Sequence, residues 1–495
     1  MATILTPAEE RGLSGLSLDS RVRKILYAIP PEKIVELNRQ MIDEAFKRSL
    51  VYVRDGKTEA IRVLLRPTGI MPDQLAYLHY VSLTIVNALK RLPDLYIQDF
   101  AVREVTPLTP AEEKWLWDSY GPSQRENNPV FGRLDAMVDF TSPMWKDSLR
   151  FVEPNLCGVG GLHLIPTCEQ MLADIVLPVF QQVEPQLQME VGQDLRELFI
   201  EEVIDHLDAI GRPGRNVCFI EPKYAGDGPN EQAALAEYYR ERHGLTILHA
   251  DPSELYMKKG EVWYEDSLVD IAYRDYEVRD IIELEAEGVD IRPMRTLFKQ
   301  NRMISSLAGD FDHKSCWEIL TDPQFTQKYF NADERQVFRR HILWTRVLSD
   351  RRATLPDGET VNLLEHTRKY QEELVIKPNR SYGGDRVLIG PSVSQGEWEA
   401  AIAEALSDEE AWVVQRLAPI AVSEFPVVAD DGTVCIEPFY VVLGFAPTKY
   451  GLAVLGRASQ KQVVNVAQRG GMCGVLIGRQ SGRLFGPAAP ARFAS

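Results

Sequence analysis

In "SLRFVEPNLCGVGGLH", residues 148 to 163, Glu153 and Asn155 stand two apart on an apolar run, and a glycine loop follows at once. On a strand, residues two apart face the same side, so both side chains can reach one cation. Hard Mg²⁺ takes oxygen ligands and is usually held by one or two carboxylates together with substrate phosphates. Upstream, "GRLDAMVDF" adds Arg133 and Asp135, again two apart, and Asp139 is a rival carboxylate nearer to Glu153. The plain alternative is a solvated strand face on which Asp135 pairs with Arg133.

Three further stretches carry chemistry of the same kind. In "ELVIKPNRSYGGDRVLIG", residues 373 to 390, an apolar strand delivers Lys377, a loop of Ser381, Tyr382, Gly383 and Gly384 follows, and a second strand begins at Val387. Glycine N–H groups can approach phosphate oxygens closely, and a strand-borne lysine supplies a fixed cation for them. No GxxxxGK[ST] loop occurs, and a bare β-hairpin fits the stretch equally well. "EEAWVVQRLAP" is a strand that turns polar at Gln415 and Arg416 before Leu417, the composition of an edge offering backbone groups to an adenine. "LAVLGRASQKQVVNVAQRGG" supplies Arg457, Asn465, Gly470 and Gly471. A guanidinium, an amide and a glycine turn suit a transferring phosphoryl group and the carboxylate receiving it.

The elements that must position these groups are legible in outline. Ile34, Leu37, Met41 and Ala45 recur at helical spacing over 31–48, with Pro31 at the start. "LAYLHYVSLTIVNALKRL" is apolar nearly all round and stops before Pro93, as a buried helix does, and His79 in it reads as a satisfied core histidine. Residues 1–115 therefore form a helical cap or an oligomerisation layer without chemistry of its own. Residues 116–190 hold a hairpin, "AMVDF" with "LRFVEPN", that ends in the glycine loop. Over 191–300 a helix closed by Gly211 and Pro213 leads into strand, loop, helix and strand, a KG hairpin, and the strand "VDIAYRD" carrying Arg274. This is a small open α/β domain. From 301 to 482 helix and strand alternate around the remaining glycine loops, and 483–495 is a tail.

Composition bounds the partners. The chain has 495 residues, 45% hydrophobic and 26% charged, with a formal charge of −17. That acidity excludes a nucleic-acid backbone as the main ligand, because such binding needs clustered lysine and arginine. No window approaches the apolar length of a membrane span, and the N-terminus lacks a signal-like apolar core, so a cytoplasmic location is expected. Six cysteines are scattered without a CxxC pair, as in a reduced protein. Cys157, beside Gly158 and with His163 the nearest histidine, reads as a loop thiol near the substrate rather than a nucleophile.

A strand lysine before a glycine loop, a "VVQR" strand, and an Arg, Asn, Gly-Gly run resemble, in that order, the nucleotide-binding half of glutathione-synthetase-like carboxylate–amine ligases of the ATP-grasp superfamily. The usual member continues to an acid and an E-x-N triplet. Here R-x-D and E-x-N stand upstream instead, which resembles the circularly permuted ATP-grasp proteins, glutathionylspermidine-synthetase-like enzymes included. The middle of the chain, through "VDIAYR", resembles the domain preceding the nucleotide site in that family, and the likeness runs from roughly residue 130 to 480.

The resemblance implies an α/β (α+β) chain, with a permuted ATP-grasp fold, a preceding small open α/β domain and a helical N-terminal region. It implies ATP on Lys314, Lys377, Ser381, Tyr382, Gly383, Gly384, Gln415, Arg416 and Leu417, and Mg²⁺ on Asp135, Glu153 and Asn155, Asp135 being preferred to Asp139 because it completes R-x-D. Arg133, Arg457 and Asn465 would surround the transferring phosphoryl group. Gly160, Gly161, Arg274, Gly470 and Gly471 would meet the substrates. The activity implied is ATP- and Mg²⁺-dependent amide or peptide bond formation through an acyl phosphate, with small-molecule or peptide carboxylate and amine substrates. An ATP-binding scaffold or a phosphotransferase is the alternative.

Overall fold

The computed structural model describes residues 7–229, 231–381, 384–429, 431–461 and 470–479, with side chains from Ser14 onward. Tyr382, Gly383, Asn465 and the 483–495 tail lie outside the described residues.

The helix Pro31–Lys47 buries Ile34, Leu37, Met41 and Ala45, the four positions picked out by spacing. Pro72–Leu89, the third helix after Pro7–Ala28 and Pro31–Lys47, buries Leu78, Val81, Ile85 and Leu89 but leaves Tyr80 exposed. These helices do not form a separate cap. Thr68–Ile70 pairs in parallel with Val475–Gly478 from the far end of the chain, and Val51–Arg54 pairs with Gly228–Pro229. One large apolar cluster joins Leu78 and Ile85 to Phe151, Trp317 and Phe445, and another joins Leu37 and Met41 to Phe199, Leu455 and Leu476. Helical periodicity shows that a face is buried but not which distant surface covers it.

The largest sheet has the strand order Gly471–Met472, Gly451–Ser459, Val434–Thr448, Arg133–Met137, Arg150–Asn155, with Ala421–Val428 also on Val434–Thr448. The hairpin is present as the antiparallel pair Arg133–Met137 and Arg150–Asn155, its first strand starting before the expected run 136–140, whose end at Asp139 belongs to the turn. Its first strand lies antiparallel on Val434–Thr448, with Asp135 opposite Gly444. Segments from both ends of the sequence thus share one sheet.

The small α/β domain is a parallel sheet in the order Met303–Ile304, Ile271–Arg274, Val217–Ile220, Ile247–Ala250. Its helix Gln232–His243 stops at Gly244, whose φ of +64° is a left-handed cap that glycine takes without strain. A third, antiparallel sheet runs Thr345–Val347, Trp412–Arg416, Leu374–Pro378, Leu388–Ile389, with its own core of Trp344, Leu363, Trp398 and Trp412. Trp412–Arg416 is therefore an interior strand and not the expected edge, because the short Thr345–Val347 strand covers its far side. Among the described residues no helix is long and apolar enough to cross a membrane.

Candidate active site

The hairpin register sets Arg133 opposite Asn155 and Asp135 opposite Glu153, so all four side chains share one face. Asp135 is 2% exposed. Its Oδ1 accepts from Arg133 Nε at 3.0 Å, and its Oδ2 pairs with Arg457 Nη2 at 2.6 Å and accepts from Asn155 Nδ2 at 3.2 Å. Burial alone would raise this carboxyl, but the Arg133 and Arg457 guanidinium groups outweigh it and hold the group down at about 2. Arg457 arrives on the neighbouring strand, paired with Val442. A Cβ on Gly444 would stand 2.4 Å from Arg133 Cδ, so a side chain there would displace the guanidinium.

This geometry sorts the carboxylates. Both oxygens of Asp135 are engaged by cationic donors, so Asp135 anchors two arginines instead of offering a metal a free edge, in contrast to its expected role. Glu153, its side chain a third exposed at 33%, and the amide oxygen of Asn155 are the oxygens left on that face. Asp139 is elsewhere in function: its Oδ1 accepts from Thr141 N at 2.9 Å and Thr141 Oγ1 at 2.5 Å, closing the turn between the two strands.

Two lysines converge on the Glu153 strand. Lys314 Nζ lies 3.8 Å from Glu153 Oε2 and donates to the Ser381 carbonyl at 2.5 Å. Lys377 Nζ donates to Val152 O at 3.3 Å, and Gln415 Nε2 reaches the same carbonyl at 3.0 Å and Thr345 Oγ1 at 2.8 Å. Burial lowers the Lys377 ammonium to about 8, opposed by Glu153 and reinforced by Lys314. Arg416 is exposed, 3.8 Å from Glu373, and the Arg416 and Leu417 N–H groups donate to Trp344 O and Glu373 O at 2.9 and 2.8 Å. Those two donors are spent within the protein. Gly384 has φ +78°, a conformation suited to glycine.

The glycine loop joins this cluster to a cavity. Arg133 Nη1 donates to Gly160 O at 3.4 Å. Glu231 accepts from the N–H groups of Gly161, His163 and Leu164 at 2.8, 2.9 and 3.2 Å, at the start of the helix Leu164–Met171. Sequence reasoning passed over Glu231, since nothing local ties it to a loop some 70 residues away. Gly158 has φ +61°, and a Cβ there would meet Asp275 Oδ1 at 1.7 Å, so only glycine lets the loop lie on that carboxylate. Beyond it a cavity of about 430 Å³ is lined by Gly158, Gly160, Glu221, Glu231, His249 and Asp275 among others. It opens at the carboxyl ends of the parallel strands, where open α/β sheets bind their ligands.

Asp275 titrates unusually. Burial first, then Glu221, Asp280 and Glu231, push its carboxyl up to about 7. Between the ordinary carboxylate range and 7 the folded chain holds a proton that the unfolded chain has released, so stability falls as pH rises through that window and the penalty is complete above it. Asp275→Asn is therefore expected to raise the unfolding midpoint by about 2 °C at pH 8 and to leave it unchanged at pH 4, checked by calorimetry at both values.

Three of the expected residues, Arg274, Gly470 and Gly471, are buried away from any open surface. Arg274 is fully buried and its donors are taken by Ser305 O, Ser306 O, Tyr276 O and both oxygens of Asp310, which leaves none for a substrate carboxylate. Gly470 is buried. Gly471, opposite Ala458, is buried at the N-terminal segment, where Met472 N donates to Arg62 O and a Cβ on Gly471 would meet Leu64 Cγ at 3.1 Å. The smallness of Gly471 serves that packing. Cys157 Sγ faces Tyr276 O at 3.4 Å, and burial raises its thiol well above the ordinary range, against a nucleophilic role. His79, as expected, is satisfied, through Nε2 on Thr448 O at 2.7 Å.

No protein-family model matches the chain, and no curated protein matches it. Among solved structures it is similar to a glutathione synthetase like-effector, GSS30, from Globodera pallida, in the apo form. The TM-score is 0.58 at 11% identity, over 90% of this chain and 97% of that one. The likeness is one of fold.

Proposed function

We propose that the protein is an ATP- and Mg²⁺-dependent carboxylate–amine ligase built on a circularly permuted ATP-grasp fold. The observation that carries this is the pairing of Asp135 with Gly444, which sets Glu153 and Asn155 from one end of the chain beside Arg457 from the other. The fold likeness to a glutathione synthetase like-effector supports the same class. Glu153 and Asn155 fit a hard cation, and bound there Mg²⁺ would neutralise charge on the ATP phosphates. Lys314 and Lys377 hold phosphate oxygens. Arg133 and Arg457, fixed by Asp135, stabilise the charge that grows as a substrate carboxylate takes up the phosphoryl group. The cavity beyond Gly158 and Gly160 then receives a small-molecule or peptide substrate. Six free cysteines fit a reducing compartment, and we place the protein in the cytoplasm.

The test is ADP release with Mg²⁺·ATP and pools of amino acids, peptides and polyamines. ADP formed in proportion to a new amide bond supports the ligase, whereas ATP binding without ADP above background sinks it in favour of a nucleotide-binding scaffold. Lys377→Met is expected to weaken ATP binding about tenfold, measured by calorimetry, since a phosphate loses its fixed cation.

A further inference from the structure

Beside the nucleotide lysines, the segment Pro378–Ser381 is held from several directions. Asn379 O accepts from Lys314 N at 3.1 Å, Asn379 Oδ1 from Ser315 N at 2.8 Å, and Asn379 N donates to Ala411 O at 2.9 Å. Arg380 N donates to Glu410 Oε1 at 3.1 Å, and Arg380 O accepts from Arg279 Nη2 at 3.2 Å. Next in the chain, Ser381 O takes the Lys314 ammonium.

The Arg380 side chain turns away from the nucleotide lysines. Its Nη2 lies 2.7 Å from Glu112 Oε1 and 3.1 Å from Glu277 Oε2, with side-chain exposures of 10%, 2% and 7% for the three groups. Glu277 also meets Arg279 Nε at 2.9 Å. Glu112 belongs to the helix Pro110–Ser119 of the N-terminal layer, where its other oxygen accepts from Thr109 N at 2.8 Å. Glu277 belongs to the small α/β domain, two residues after Asp275 of the cavity. Three parts of the molecule thus meet at one buried guanidinium. Buried ion pairs add little net stability because desolvation offsets their attraction, so a fixed geometry is the better account of their use.

We propose that Arg380 is a positioning residue for the nucleotide cations: clamped between Glu112 and Glu277, it fixes the Pro378–Ser381 turn and, through Ser381 O, the ammonium of Lys314. The N-terminal layer, which holds none of the candidate catalytic side chains, then contributes directly to ATP binding. This rests on the ligase reading only in taking ATP as the bound nucleotide.

The test measures the Kd of Mg²⁺·ATP by calorimetry, with the unfolding midpoint, for the full chain and its variants. Glu112→Gln is expected to raise Kd about tenfold and Arg380→Lys about threefold, since lysine keeps the charge but loses the fork. The double variant Glu112→Gln/Arg380→Gln removes two of the three buried charges, leaves Glu277 on Arg279, and is expected to recover the midpoint while Kd stays high. Wild-type Kd in Glu112→Gln, or a Kd that recovers with the midpoint in the double variant, overturns the clamp. If the unaltered chain binds no ATP, the ligase reading falls and takes the clamp with it.

Discussion

Arg457→Met is expected to lower kcat/KM for ADP formation by about three orders of magnitude, the upper range for loss of one preorganised donor. Arg457 is mostly buried and shares the carboxylate of Asp135 with Arg133, so its removal takes away one cation of the proposed reacting centre and also loosens the other. The variant is expected to lose about 3 kcal/mol in urea unfolding, because Asp135 keeps only Arg133 and Asn155 as partners in a buried site. Arg457→Lys restores a charge without the planar fork and is expected to recover stability better than rate. A variant with unchanged kcat/KM would remove Arg457 from the chemistry.

The double substitution Glu153→Gln with Asn155→Ala is expected to abolish Mg²⁺-dependent activity, by about a thousandfold or more, while the chain stays folded. Glu153 is partly exposed, and its cationic neighbour Lys314 keeps a second partner in Ser381 O, so the loss falls on ligand binding more than on the core. A magnesium titration of ATP affinity would show the loss directly. Asp139→Asn is the control: it touches only the turn at Thr141, so activity should persist. Full Mg²⁺-dependent activity in the double variant would mean the metal lies elsewhere.

Much of the site's composition was legible because its signals are local. Glu153 and Asn155 two apart, Arg133 and Asp135 two apart, and Lys377 before a glycine loop depend on strand alternation alone; the strands of Glu153 and Lys377 formed where expected, while the first hairpin strand is Arg133–Met137 and not the expected 136–140. Helix Pro31–Lys47 and the strand order of the small α/β domain's elements along the chain were legible for the same reason.

What failed was whatever depended on a partner distant in sequence. Arg274 looked available until Asp310 and two carbonyls of the 305–306 turn closed over it. Gly470 and Gly471 looked like a substrate turn but are buried, Gly471 against Arg62 and Leu64. Glu231 and Arg380 gave no local sign, and Glu112, closing the T-x-x-E capping box with Thr109, signalled only a helix start. Charge on a side chain says nothing of which opposite charge will be buried with it.

By itself the sequence determined the alternating strands, the amphipathic helices and the types of residue that face one another across the Arg133–Asn155 hairpin, since period and side-chain chemistry are properties of a short stretch. Only the tertiary structure decided that this hairpin lies on Val434–Thr448, that Asp135 holds two arginines and so leaves Glu153 and Asn155 to face outward, and that Glu112 of the N-terminal layer is buried against Arg380. Those outcomes depend on which buried surfaces and charges meet, and chain spacing does not encode that.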